Sequence, residues 1–204
     1  MSWKNFFNNY KYRLKNFFLN KDPENITKIL ISANIGAYFS WKVVPGFMRD
    51  HFVMSEQNTI RKSRYYTILT SSISHPDFIP MFFNSITLWF FASPVIYSIG
   101  PMGILSLYFS GTIFNFLGLY SRYKYNNPYG SIPITVGANA SVSAIMSYFI
   151  IQNPWQPIFL MFIPMPAVIL GLVMLYLGDN GRENTYFYGG LGGAFVYLIK
   201  AIAK

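Results

Sequence analysis

Six apolar runs, at residues 29–44, 81–99, 102–120, 136–151, 157–177 and 186–203, constrain this chain more than any other feature. They are separated by proline, glycine and polar breakers. Each approaches the length a helix needs to cross a bilayer, about 20 residues at 1.5 Å apiece. The 204 residues therefore have room for one membrane domain of about six spans, with no second folded domain. Only 11% of the residues are charged while 20% are aromatic, a balance foreign to an ordinary soluble domain.

The breakers predict how the runs connect. Asp22-Pro23-Glu24-Asn25 precedes the first run and sets acids near the positive end of a helix dipole. Pro45-Gly46 stops that run, and Ile99-Gly100-Pro101 predicts a tight turn that makes the second and third runs antiparallel neighbours. Pro164 and Pro166 predict a kink or a break within the fifth. The fourth run is rich in small residues (Gly137, Ala138, Ala140, Ser141, Ser143, Ala144, Ser147), and the sixth opens with Gly189, Gly190, Gly192, Gly193 and Ala194. In lipid such surfaces let two backbones approach closely, so these helices are expected to touch. Packing alone suffices to explain the small residues.

Residues 1–28 form a segment of another kind, set before a membrane domain at 29–204. Lys4, Lys11, Arg13, Lys15 and Lys21 alternate with Trp3, Phe6, Phe7, Tyr10, Leu14, Phe17 and Phe18, with no acid before Asp22. On a helix this pattern gives a basic amphipathic surface suited to anionic lipid or to a partner. It is also compatible with a retained mitochondrial address. Basic residues divide almost evenly between the two sides of a six-span layout, so charge does not set the orientation.

Several chemistries are excluded or left without support. Cysteine is absent and histidine is limited to His51 and His75, which removes thiolate chemistry and argues against zinc or haem, so no metal or cofactor is expected. The acids, Asp22, Glu24, Asp50, Glu56, Asp77, Asp179 and Glu183, all fall at ends or in loops, which counts against a proton relay or cation pathway. The glycines at 189–193 follow no strand and lack the Lys-Ser/Thr of a phosphate loop. Nothing presents a nucleic-acid surface.

The order of the remaining motifs resembles the rhomboid intramembrane proteases, from about residue 60 to 200. Arg64-Tyr65-Tyr66, Ser74-His75-Pro76 and Phe82-Phe83-Asn84 are similar to the family's loop and second helix. There Tyr65-Tyr66 replaces a Trp-Arg pair and Pro80 replaces a histidine, while Asn84 falls at the oxyanion-stabilising asparagine and His75 matches a histidine at the head of that helix. Phe91-Ala92-Ser93-Pro94 and Ile99-Gly100 follow the pattern of the next span, with Ile96 at a usually acidic position. Gly137-Ala138-Asn139 stands where the family carries Gly-x-Ser, and Gly190 stands where it carries its histidine base.

Both members of the catalytic dyad are thus replaced. A carboxamide cannot serve as a hydroxyl nucleophile, and glycine cannot act as a base. The resemblance implies an all-α integral membrane protein, a six-helix rhomboid-like bundle with an N-terminal amphipathic helix, that is not an enzyme. The leading expectation is a structural or accessory subunit of a respiratory or ATP-synthase complex in the mitochondrial inner membrane, with other membrane subunits and anionic lipids as partners. A pseudoprotease that handles transmembrane clients and a divergent protease using Ser141 or Ser143 are the alternatives. Gly190 is expected to lie in a close helix contact with little room for an imidazole.

Overall fold

The computed structural model describes residues 23–126, 132–160, 163–178 and 184–202. The basic amphipathic segment lies outside the described residues up to position 22. Helix α1 spans Asn25–Val43, so residues 25–28 belong to the first helix rather than to that segment. Its 19 residues extend about 28 Å. Val44 closes it through a backbone bond to Ser40, and Pro45 opens the short helix α2, Pro45–His51. Trp41 Nε1 donates to Ser74 Oγ at 2.8 Å and ties the far end of α1 to the loop that precedes α4.

Between α2 and that loop the chain is polar and compactly bonded. A π-helical turn, Glu56–Arg61, leads to α3, Thr67–Thr70, and to a 3-10 turn, Ser71–Ile73. Asn58 Nδ2 donates to the Arg49 and Val53 carbonyls at 2.7 and 3.2 Å, and the Thr59 and Thr67 hydroxyls meet at 2.7 Å. Arg64 Nη1 donates to the Asp50 carbonyl at 2.8 Å. A two-way backbone bridge between Met54 and Thr135 joins this region to the approach of α5.

Helix α4, Phe78–Asn126, is one apolar element broken at Gly100, where φ is 75° and ψ is 172°. Only glycine adopts that backbone freely, and Pro101 supplies no N–H to continue the helix. Asn84 meets Asn139 at the start of α5, and Ser98 meets Gln152 at its end, so residues 78–99 run parallel to α5. Residues 101–126 return, with Gly111 against the Ala140 backbone and Gly118 under the Tyr188 ring. The antiparallel pair expected around Ile99-Gly100-Pro101 is therefore present. Among the described residues, Phe78–Tyr125 is the helix that is long and apolar enough to cross a membrane by length and composition.

Helix α5, Asn139–Gln152, is central, and Ala140, Ser141, Val142, Ala144, Ile145 and Tyr148 on it are buried. Helix α7, Thr185–Ile202, packs beside it in the same direction. A Cβ at Gly189 would overlap the Ala140 carbonyl, and one at Gly193 would overlap the Ala144 carbonyl. The small-residue faces expected to touch do so. Leu88, Ala92 and Val95 from the outgoing half of α4, Leu107 and Tyr108 from its return, and Ile145 and Tyr148 form the core around them.

The fifth run departs from an all-α layout and from a single helix over 157–177. It begins as an antiparallel hairpin, β1 (Pro157–Leu160) with β2 (Ile163–Pro166), in the register Pro157↔Pro166 and Leu160↔Ile163. Pro164 and Pro166 each remove a donor that a helix would need. A two-stranded ribbon consists only of edges, where proline is tolerated. Helix α6, Ala167–Gly178, then follows with 12 residues, about 18 Å, short of the roughly 30 Å hydrocarbon core. The backbone bonds Ala167 N to Gln156 O and Val168 N to Pro154 O seat it on the loop after α5.

Candidate functional site at the start of helix α5

The turn into α5 is set by Gly137, whose φ of 111° is strained for any L side chain. Its N–H bonds to the Ser71 carbonyl at 2.9 Å, which leaves the next N–H, from Ala138, directed at His75 Nε2 at 3.1 Å. An accepting Nε2 places the imidazole proton on Nδ1. His75 is 1% exposed, and burial pushes its pKa down to about 4, with the nearby Ile73 backbone opposing that shift. Nδ1 itself makes no hydrogen bond of good geometry. The ring is therefore neutral at physiological pH.

Asn84, on the first turns of α4, is buried and completes the cluster. Its Nδ2 donates to Asn139 Oδ1 at 2.7 Å and lies 3.2 Å from His75 Nε2. A carboxamide nitrogen has two protons: one goes to Asn139 Oδ1, and the other faces His75 Nε2, whose single lone pair already accepts the Ala138 N–H. An oxyanion needs donors aimed at the developing charge and free to receive it. At Asn84 one of the two donors is held by Asn139 Oδ1. Three of the four sequence-predicted residues, His75, Asn84 and Asn139, thus form one bonded group.

Gly190 does not join that group. A Cβ placed on it would have Ser147 Oγ and Ser143 Oγ as its nearest neighbours, at 3.5 and 3.6 Å, which is ordinary contact. The expectation of little room there is corrected: the tight positions on α7 are Gly189 and Gly193 against α5, and Gly192 against Ser110 and Gly111 of α4. Gly190 instead borders a cavity of about 270 Å³ between α5, α6 and α7, lined by Met146, Ile150, Leu172, Leu175 and Ala194 among others. The reason is helical register, since positions 189 and 193 share a face and 190 lies about 100° round from it.

The alternative nucleophiles are also engaged. Ser143 Oγ donates to the Tyr186 carbonyl at 2.6 Å, and the Ser141 and Thr112 hydroxyls meet at 2.7 Å in a buried pair. Neither hydrogen-bonds to an imidazole. Thr112, the Tyr186 carbonyl and the Ala138 N–H were not singled out from sequence. Thr112 carried a signal, a hydroxyl within an apolar run that must find a partner once buried; the two backbone groups carried none.

The asparagine-bearing helix, the glycine turn into a central helix and the glycine-faced last helix are the elements on which the rhomboid resemblance rests. A Rhomboid domain model matches residues 62–203, and the chain belongs to the rhomboid family. Among similar proteins, RHOMBOID-like protein 12, mitochondrial, of Arabidopsis thaliana is 30% identical over 187 residues, covering 83% of this chain and 55% of the relative. Presenilin-associated rhomboid-like protein A, mitochondrial, of Danio rerio is 24% identical over 182 residues, covering 84% and 46% respectively. The chain spans about half the length of these two relatives.

Proposed function

We propose that this protein is a non-catalytic rhomboid-like subunit that binds and anchors within a larger mitochondrial inner-membrane assembly, its helices arranged as six spans. The observation that carries the reading is the Asn84 to Asn139 bond at 2.7 Å. It joins the residue at the oxyanion position to the residue at the nucleophile position, so neither is available for acyl transfer. The mitochondrial setting draws support from the names of the relatives. The assignment to a respiratory or ATP-synthase complex rests on the basic, aromatic residues 1–28 as a partner-docking segment.

Purification in mild detergent with quantitative identification of companions tests this role. The expected outcome is a fixed set of membrane subunits at constant ratio, and no labelling by a serine-directed phosphonate. Labelling lost in Ser141→Ala or Ser143→Ala would establish a divergent protease instead. A second binding reading, capture of transmembrane clients, is favoured by the apolar cavity beside Gly190. It predicts transient association with many single-span proteins rather than a fixed ratio.

A further inference from the structure

At the end of the bundle opposite His75, Lys200 Nζ donates to Ser98 O at 2.5 Å and to Ser98 Oγ at 2.8 Å, and lies 5.9 Å from the centre of the Tyr148 ring. Gln152 Nε2 donates to the same hydroxyl at 2.9 Å. Tyr148, Gln152, Tyr197, Lys200 and Ala201 line a cavity of about 220 Å³. Among the described residues no carboxylate pairs with Lys200. An ammonium has three donors, and Ser98 takes two, so one N–H and the positive charge remain for another acceptor.

We infer that this site binds the phosphate of an anionic phospholipid whose acyl chain lies along α7. Gly190, Ala194, Tyr197 and Ala201 fall at spacings of four, three and four, on one face of that helix. Tyr197 and Ala201 line the lysine cavity, while Gly190 and Ala194 line the apolar cavity between α5, α6 and α7. From Lys200 back to Gly190 the helix rises about 15 Å. That is half of the roughly 30 Å hydrocarbon core, the depth of one leaflet. A headgroup phosphate at Lys200 therefore places its chain beside a stripe that ends in an apolar cavity. A free phosphate would use only the polar end.

The bland role for Lys200 is to cap the helix that ends before Gly100, where the Ser98 carbonyl has lost a regular partner. Lys200→Gln keeps an N–H for that carbonyl and removes the charge. Gly190→Leu leaves the lysine intact and fills the apolar cavity. The inference rests on the membrane placement proposed above.

Native mass spectrometry of the full chain, purified in detergent with phosphatidylglycerol or phosphatidylcholine, provides the test. Wild type should retain one phosphatidylglycerol in preference to phosphatidylcholine. Lys200→Gln should retain it about fivefold less well, the factor for roughly 1 kcal/mol from one lysine at a membrane surface. Gly190→Leu should also weaken retention, and added inorganic phosphate should not displace the lipid. Equal retention of the two lipids, unchanged retention in both variants, complete displacement by phosphate, or a protein carboxylate cross-linked to Lys200 in place of lipid would each overturn the proposal. Alkaline carbonate extraction separates the two failures: release from membranes sinks the placement itself, whereas a membrane-held protein that ignores phosphatidylglycerol sinks only the lipid site.

Discussion

The two sides of α5 treat Asn139 and Gly190 in opposite ways. On the side of α4, Asn139 fills its place and is bonded to Asn84, with His75 closing the group. On the side of α7, Gly190 leaves its place open, and the space continues into the cavity bordered by α6. One position has become part of the fold's own bonding and the other has become volume. The helix thus has one bonded flank and one flank that borders open volume.

The comparison breaks most visibly at the glycines of α7. Gly193→Ala should destabilise the protein by more than about 3 kcal/mol, because its Cβ would overlap the Ala144 carbonyl and force two backbones apart. Gly190→His should cost less than about 1 kcal/mol, since the ring can enter the cavity and helix propensity improves. Thermal unfolding in detergent measures both. Equal losses at the two positions would erase the distinction between a tight and an open face.

Acid should loosen the bonded flank next. The folded pKa of His75 lies near 4, below the ordinary value of 6.5, so the folded state favours the neutral ring. Stability from this group is therefore complete above pH 6.5 and is lost as pH falls toward and through 4. The loss amounts to about 3 kcal/mol, by the conversion of 1.36 kcal/mol per pKa unit. Unfolding curves between pH 7 and 4 should show that slope in wild type and a flatter one in His75→Gln. A slope unchanged by the substitution would place the acid sensitivity elsewhere.

A smaller effect is expected at the central bond. Asn139→Ala strands one Asn84 donor in a buried site and should cost about 1–2 kcal/mol. A double-mutant cycle with Asn84→Ala should recover part of that loss as coupling. Full additivity would mean that the 2.7 Å contact contributes nothing beyond packing.

Much of this was legible in the residues because it depends on composition and punctuation. Gly100-Pro101 announced its turn, since no other pair both permits a positive φ and withholds a donor. The small faces of α5 and α7 announced their contact. Motif order singled out His75, Asn84 and Asn139, but not the contacts that join them. What stayed hidden depended on register and on long-range partners. With glycine at 189, 190, 192 and 193, no side chain marks which position faces the neighbour. Prolines at 157, 164 and 166 signalled a break without saying that the chain would fold back as a hairpin. The Lys200 to Ser98 contact joins residues 102 apart, and no local pattern encodes it.

The outgoing half of α4 behaves as a beam clamped at both ends. Asn84 fastens it to the first residue of α5, and Ser98 fastens it to Gln152 at the last turn and to Lys200. A load applied to this rod passes into α5 and α7 and is not relieved by a swing outward. The wall free to give way is α6, only 12 residues long and hung from a hairpin. A neighbouring helix that presses on this protein should therefore be felt as rigid from the α4 side and as yielding from the α6 side.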